Sequence, residues 1–487
     1  MDNGSMNAFQ KVLFKIKSFF VGIPKVLFAF FFAIGNVLYK YGKRFKDGDF
    51  AVKLSYIIMG FGNAVRGQII KGILFLLAEA AYILYMVSFG WQYISEMFTL
   101  GTVHRSIIEM VDTGSSRTSA TLSTASNSML IMLFGLLTIF ITVAFLAIYV
   151  ISTKSAFKVM QTVKEGKKPA TFMSELKELL DSKFHCTMLT FPSLLVGIFT
   201  VIPLIFMILI AFTSFDSNHQ YPGFSFQWVG LENFYDIFGG NAKKAATFVS
   251  LTKWTLIWAV FATFTNYIAG MIVALMINKK GIRFKSFFRT MFVLSVAVPQ
   301  FVTLLLMRQM LNKYGIINEM LTTFGWIQTE VPFLTDAFTA RVTVIVVNMW
   351  VGIPYTILIT SGILMNIPEE LYESAKIDGA TPVVTFFKIT LPYMLFVTTP
   401  YLITQFIGNI NNFNVIYLLT AGQPTNLSLY NAGDTDLLVT WLFALSLNKN
   451  NYNLAAAVGI LVFVVCAGVS LLTYNFSNSA KNEEEFS

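Results

Sequence analysis

The chain has 487 residues, of which 55% are hydrophobic and only 13% are charged, and its mean hydropathy is +0.65. These values exclude a soluble globular domain of ordinary composition and indicate an integral membrane protein. The net charge of +9 is best explained by membrane topology and by contact with anionic lipid, and we expect no nucleic-acid partner.

The first candidate element is the apolar segment 19–39, which is interrupted by Pro24 and Lys25 and flanked by basic residues on both sides. The remaining uncharged run is too short to cross a bilayer comfortably, so we predict a helix that lies on the membrane surface. A signal peptide and a ninth membrane span are the alternatives. The role of residues 1–70, which form a basic extension, stays open.

Eight windows are long and apolar enough to cross a hydrocarbon core about 30 Å thick as helices. They are residues 72–96, 128–152, 189–213, 250–277, 287–308, 342–365, 393–417 and 453–474. The sequence therefore predicts an all-α polytopic membrane protein. Most Lys and Arg residues fall in the N-terminal extension and in two connections, 153–188 and 278–286. The positive-inside rule makes that side cytoplasmic, together with both termini.

The connections and spans carry few groups with chemistry of their own. The connection 98–127 is rich in small polar residues and is predicted to be a solvated loop. Glu79 is the one acid deep in a span, and we interpret it as a structural residue, with a proton relay as the alternative. Cys186 and Cys466 cannot form a disulfide framework on this layout. The three histidines lie in separate loops, so no metal site is expected.

Sequence motifs of common enzymes are missing. The chain contains no GxxxxGK[ST] phosphate loop, no GxSxG elbow and no HExxH helix. We therefore expect neither an enzyme nor a cofactor bound to this chain. Energy for any transport would come from a partner or from an ion gradient.

Two stripes of uncharged polar residues follow a helical spacing in the sixth and seventh windows. Their members are Asn348, Gly352 and Tyr355 in one window and Gln405, Asn409 and Asn412 in the other. Amides can bridge sugar hydroxyls and an aromatic ring can stack on a sugar face, so the stripes are candidate carbohydrate-binding residues. Alternatively the amides hold helices together and the glycine permits close packing. Spacing alone leaves both interpretations open.

The polar segment YESAKIDGATP (372–382) separates the two stripes. Asn366 is a candidate N-cap and Gly379 a natural helix stop, so EELYESAKID should form about three helical turns. A second short helix is expected over VVTFFKITL, with Pro392 at its end. The pair would lie on the cytoplasmic surface as a helix-turn-helix.

The first of these helices has small residues framed by acids. Ser374, Ala375 and Ala380 give it a face without bulk, and Glu373 and Asp378 offer carboxylates. Such a face suits insertion into a cleft on another protein. An ordinary amphipathic loop is the alternative from helical spacing alone.

These residues carry a resemblance to a known family. Over twenty positions, from Glu373 to Pro392, residue types and spacing resemble the EAA loop of permease subunits in binding-protein-dependent ABC importers. Ser374 stands where that pattern has alanine. The resemblance implies that the loop docks in a groove of an ATPase subunit. The coupling residues that it implies are Glu373, Ser374, Ala375, Asp378, Gly379 and Ala380.

From about residue 188 onward the chain looks like the MalF-type permeases of maltose and maltodextrin importers. This resemblance implies a six-helix type I importer core preceded by two additional spans. It also implies a second homologous permease subunit, two ATPase subunits that hold the ATP and Mg²⁺, and an extracytoplasmic sugar-binding protein. It favours a sugar-binding role for the two stripes. Val351, Gln405 and Gly408 depart from the maltose permease, which has Leu, Ser and Phe there.

The predicted organisation has four parts. They are a basic extension (1–70), two additional transmembrane helices with a cytoplasmic loop (71–187), a permease core with the EAA loop at 366–392 (188–478), and a cytoplasmic tail (479–487). The predicted function is the permease subunit of an importer for maltodextrin-type oligosaccharides in a bacterial cytoplasmic membrane. One alternative is an ABC permease for another substrate, namely galactooligosaccharides, arabinogalactan oligosaccharides or several different sugars. A less favoured alternative is an ion-coupled secondary sugar transporter. A membrane enzyme acting on glycans is disfavoured because paired catalytic acids are missing near the membrane.

Overall fold

The computed structural model describes residues 32, 35–37, 39–101, 104–112, 117–125, 127–220, 225–279 and 283–476. Most of the predicted surface segment 19–39, and the whole of the predicted tail 479–487, lie outside these residues. The chain separates into two compact units, and the boundary lies between Gly230 and Leu231. The predicted four-part division stays a prediction.

The first unit is built on three long apolar helices joined by shorter elements. The elements are α1 (Phe50–Leu54), α2 (Phe61–Ala64), α3 (Ile69–Phe98), β1 (His104–Asp112), β2 (Arg117–Ala125), α4 (Ser128–Lys164), α5 (Phe172–Leu180) and α6 (Phe184–Ile210). The two strands form an antiparallel hairpin, with His104 opposite Ala125 and Asp112 opposite Arg117. In the described part of this connection the predicted loop is therefore a two-stranded hairpin. Its Ile, Val and Thr residues favour extended backbone, which composition alone did not reveal.

Residues 39–66 pack against α4 and thereby give the last part of the basic extension a fixed structure. The Tyr149 hydroxyl on α4 donates a hydrogen bond to the carbonyl oxygen of Tyr56 at 2.7 Å. In α3, Oε2 of Glu79 accepts a hydrogen bond from the backbone N–H of Met59 at 2.8 Å. Glu79 thus satisfies a backbone donor, since an amide inside a membrane protein needs an acceptor within the fold.

The second unit contains four long helices and several short ones. The elements are α7 (Glu232–Tyr235), α8 (Ala242–Asn278), α9 (Lys285–Ala297), α10 (Gln300–Met310), α11 (Ile316–Thr323), α12 (Ala337–Leu364), α13 (Glu369–Ile377), α14 (Pro382–Ile410), α15 (Phe413–Leu419), α16 (Leu438–Asn448) and α17 (Tyr452–Phe476). Helices α8 and α12 run side by side in the same direction. The guanidinium carbon of Arg341 lies 4.9 Å from the Trp254 ring centre near their starts, and Nδ2 of Asn278 donates to Oγ of Ser361 at 3.2 Å near their ends.

Seven helices in the described part of the chain are long and apolar enough to cross a membrane, namely α3, α4, α6, α8, α12, α14 and α17. The prediction of a helical polytopic membrane protein is confirmed. The fifth predicted window, 287–308, is not one helix, because the chain breaks between α9 and α10 at Val298 and Pro299. Proline disfavours helical backbone at the residue before it, and Val298 accordingly adopts an extended conformation.

Helix α14 differs from the sequence prediction at both ends. The expected separate helix over VVTFFKITL is wrong, because those residues are the first turns of α14 itself. A π-turn over Phe386–Thr390, closed by Leu391 N–H donating to the Phe386 carbonyl, carries the helix past Pro392. At the other end α14 stops at Ile410, so the predicted window 393–417 is divided between α14 and α15.

Candidate functional site

Helices α8, α12 and α14 enclose a small polar cavity of about 50 Å³. Gly352 and Tyr355 reach it from α12, and Gln405 reaches it from α14, so half of the predicted stripe residues lie together. Helix α8 contributes Thr263 and Asn266 to the same lining. A cavity of this size accommodates a few water molecules and no sugar ring.

Two side-chain amides near this level have buried polar atoms without a protein partner. Nδ2 of Asn348 and Oδ1 of Asn266 make no hydrogen bond among the residues that the structure describes. Asn348 lies one turn before Gly352 on α12, and only 5% of it is exposed. Leaving such groups unpaired costs about 1–3 kcal/mol each, so both need a water molecule or a ligand hydroxyl as partner.

Gly352 on α12 faces the side chain of Asn266 on α8 beside the cavity. A Cβ atom built on Gly352 would lie 2.2 Å from Nδ2 of Asn266. Any side chain here would therefore displace the Asn266 amide from its position beside the cavity. The glycine thus leaves room for the Asn266 side chain between the two helices, as small residues do in other helix pairs within membranes.

Asn409 and Asn412 are occupied by bonds within the protein. Nδ2 of Asn409 donates to Oγ1 of Thr263 at 3.0 Å, and the backbone carbonyl oxygen of Asn409 accepts from Nε1 of Trp258 at 3.1 Å. Asn412 lies beyond the end of α14, where its Oδ1 caps α15 by accepting from Val415 N–H at 3.3 Å. Helix α14 ends two residues before Asn412, yet Nδ2 of Asn412 donates to Oδ1 of Asn409 at 3.3 Å, so these two stripe residues still lie side by side. In this conformation the two asparagines fit the helix-holding alternative.

Sequence reasoning missed the contribution of α8. Thr263, Asn266 and Tyr267 line the cavity together with Tyr401 from α14. The polar pair at 263 and 266 shares one helix face, and this spacing in the fourth window was the signal that could have identified them.

The EAA loop forms as a helix followed by a tight turn. Helix α13 begins after Pro368 rather than at an Asn366 cap, and two acids occupy its first turn. Gly379 has a φ of +75°, which lets the N–H of Ala380 donate to the carbonyl of Ala375 at 2.9 Å. Oγ1 of Thr381 then caps the start of α14.

One small residue of α13, Ala375, packs against this chain itself and does not lie on the face predicted to enter a partner protein. Ala375 is only 9% exposed, and Tyr372 packs on a cluster that includes Met271 and Met394. The hydroxyl of Tyr372 lies 3.1 Å from Oγ1 of Thr390, which ties α13 to the start of α14. Ala375 therefore belongs to the inner face, because a residue without bulk lets the helix approach its own chain closely.

The outer face of α13 combines charge with one large apolar side chain. Glu373, Ser374, Asp378 and Gly379 are exposed, whereas Ala380 is only partly so. Ile377 is 86% exposed between them. An apolar side chain of this size, rimmed by carboxylates, is an arrangement that protein interfaces commonly use.

Comparison with known proteins agrees with this arrangement. Residues 266–482 match the family model described as binding-protein-dependent transport system inner membrane component. The galactooligosaccharides transport system permease protein GanP of Bacillus subtilis (strain 168) is 34% identical, over 88% of this chain and 97% of that protein. The maltodextrin permease MdxF of the same organism is 32% identical, over 88% of this chain and 95% of that protein.

Two further proteins are similar over a smaller part of the chain. The maltose/maltodextrin permease MalF of Escherichia coli (strain K12) is 33% identical over 52% of this chain and 49% of its own length. A chain of a bacterial alginate ABC transporter, solved with an alginate pentasaccharide-bound periplasmic protein, superposes with a TM-score of 0.50 at 25% identity, covering 62% of this chain and 96% of that one. The resemblance read from the sequence is confirmed. The chain belongs to the family of membrane-embedded permeases of binding-protein-dependent ABC transport systems.

Proposed function

We propose that this permease forms the translocation path of an ATP-driven importer for maltodextrin-type oligosaccharides, together with a second homologous permease subunit. The observation that carries the proposal is the polar cavity at which α8, α12 and α14 meet between membrane-spanning helices. Uncharged amides and aromatic rings are the groups that bind sugar hydroxyls and sugar faces. Because the cavity holds only a few water molecules, an oligosaccharide enters after the helices part.

Coupling to ATP is assigned to the exposed face of α13. Glu373, Ser374, Asp378 and Gly379 meet an ATPase subunit there, and Ile377 fills a pocket on it. Ala375 and Ala380 act by holding the helix and its turn in place. ATP and Mg²⁺ bind to two partner ATPase subunits and not to this chain. This face and both termini are cytoplasmic by the positive-inside rule, and a sugar-binding protein delivers substrate on the opposite side.

The chemical class of the oligosaccharide has two candidates. The relatives named for galactooligosaccharides and for maltodextrin are 34% and 32% identical over the same share of this chain. Gln405 on the cavity wall, where the maltose permease has a smaller serine, adds two donors and one acceptor site. A galactooligosaccharide is therefore the second candidate substrate.

The test is transport by the complete complex in proteoliposomes, with the ATPase subunits and the sugar-binding protein present. We expect ATP-dependent uptake of maltotriose or longer α-linked glucans, and no loss when ion gradients are dissipated. Uptake of β-linked galactooligosaccharides alone would replace the substrate assignment and leave the importer intact. Uptake driven by an ion gradient without ATP would contradict the importer itself.

A further inference from the structure

A groove of about 600 Å³ opens between α8 and α12, near the start of both helices. Small residues of α8 leave the space, namely Ala245, Ala246 and Ser250. Lys253 and Arg341 bring two cationic side chains to its wall, one from each helix. The groove is separate from the polar cavity, which lies further along the same helices.

Both cations lie at the boundary of an uncharged membrane segment. Lys253 is followed by 25 residues without a charge, 254–278, and Arg341 is followed by the uncharged run 342–368. Twenty-five helical residues extend about 37 Å, enough to cross a hydrocarbon core about 30 Å thick. Because Arg341 stacks on Trp254, the residue next to Lys253, both cations sit at the same level. That level is the one that phospholipid headgroups occupy.

The two cations differ in how they are held. Nε of Arg341 donates to the carbonyl oxygen of Asp434 at 2.9 Å, and one Nη lies 3.9 Å from a carboxylate oxygen of that residue. Arg341 is thus fixed in position and only loosely paired. Lys253 is exposed, and no carboxylate among the residues with described placement pairs with it. The groove therefore presents one anchored and one unpaired positive charge.

An apolar stripe continues from the groove along the same face of α8. Its members recur every three or four residues and are each 44–50% exposed: Ile257, Val260, Phe264 and Ile268. Residues at this spacing lie on one side of a helix. A ligand that contacts both the two cations and this apolar stripe would have an anionic head and a long apolar tail.

We propose that the groove is a binding site for an anionic phospholipid. The phosphate lies between the Lys253 ammonium and the Arg341 guanidinium, and the acyl chains follow the stripe along α8. An ammonium and a fixed guanidinium are suitable donors for a phosphodiester, and basic pockets between membrane helices bind anionic headgroups in this way. A helix of a second permease is a poorer occupant, because it would have to bury the unpaired Lys253.

The experiment uses the complete complex in nanodiscs that contain either phosphatidylcholine alone or phosphatidylcholine with phosphatidylglycerol. Retained lipid is measured by native mass spectrometry after mild detergent extraction. We expect the wild type to retain phosphatidylglycerol in preference to phosphatidylcholine. Lys253→Gln should weaken this preference about fivefold, because one lysine near a headgroup contributes about 1 kcal/mol.

Matched variants separate the site from general surface charge. Lys253→Arg should restore the preference, and Lys243→Gln, which removes an exposed charge ten residues earlier on α8, should leave it unchanged. Equal retention of both lipids by the wild type, or equal loss in Lys253→Gln and Lys243→Gln, would overturn the proposal. So would cysteine cross-linking at 253 that captures the second permease, since the groove would then be a subunit contact.

Discussion

At the scale of single residues, Gly352 on α12 leaves room for the Asn266 side chain of α8 beside the cavity. A Cβ at Gly352 meets the Asn266 amide at 2.2 Å, whereas a Cβ at Gly362, ten residues later on α12, meets nothing within 4 Å. Two glycines in one helix therefore have opposite packing requirements. This difference provides a matched pair of variants.

We expect Gly352→Ala to lower ATP-dependent oligosaccharide uptake and to destabilise the protein by about 1–3 kcal/mol, the usual cost of overpacking. Gly362→Ala is the control and should leave uptake unchanged. Shortening the opposing side chain in Gly352→Ala/Asn266→Ala should recover stability. Proteoliposome uptake and thermal denaturation measure the two effects. Equal behaviour of Gly352→Ala and Gly362→Ala would contradict the close contact.

Asp436 is a buried acid in the connection that precedes α16. Its carboxylate accepts hydrogen bonds from Gly433 N–H and from the Thr440 hydroxyl, both at 2.8 Å. Burial nevertheless dominates and raises the pKa of Asp436 above its ordinary value. A raised pKa means that the folded protein favours the protonated acid, so this residue stabilises the fold at low pH. That contribution is lost as the pH rises through the folded-state pKa.

Asp436→Asn keeps the shape and an acceptor oxygen while it removes the charge. We expect the variant to be less sensitive to pH than the wild type, with its largest relative gain in melting temperature at neutral pH. Melting temperatures of the two proteins from pH 4 to pH 8 test this. A wild-type melting temperature that falls more steeply on acidification than that of the variant would contradict the direction given for Asp436.

At the scale of elements, the turn between α13 and α14 determines how the coupling helix is presented. Gly379 has a left-handed backbone, and no atom lies within 4 Å of a Cβ built on it. Space therefore does not exclude a side chain there, but the left-handed backbone disfavours most side chains. A β-branched residue in this region costs roughly 1–2 kcal/mol, whereas asparagine tolerates it.

Gly379→Val should consequently lower both copurification of the ATPase subunits and ATP-dependent uptake, because α13 loses its fixed end. Gly379→Asn is the matched control and should retain most of both. Copurification from membranes, followed by uptake in proteoliposomes, measures the two steps in turn. Loss of function in both variants alike would mean that the partner requires a glycine surface, and the backbone explanation would be wrong.

Helix α13 also illustrates where sequence reasoning reached its limit. Its existence and its stop at Gly379 follow from local signals, namely the first-turn acids and the glycine. Its orientation does not, since Tyr372 turns inward onto a cluster that contains Met271 and Met394, and Ala375 is buried on the same side of the helix. The same limit applies to Asn412, which contacts Asn409 beyond the end of α14 and not along one continuous helix.

At the scale of the whole molecule, membrane-spanning helices can be recognised in the sequence because hydropathy is a local property. Each of the seven helices long enough to span, within the described residues, overlaps a predicted window. The window 287–308 was apolar enough as well, but Pro299 divides it. Hydropathy thus identified which segments belong in the membrane and did not identify where a helix is broken.

The sequence by itself determined the membrane class, the position of the spans and the EAA loop, since each depends on residues close together in the chain. Only the tertiary structure decided which polar residues share a cavity, which face of α13 is exposed and which cations meet at the groove. Asn266 and Gly352 are 86 positions apart in the sequence, and Trp254 and Arg341 are 87 positions apart. Such contacts arise when helices pack side by side, and no local pattern specifies that packing.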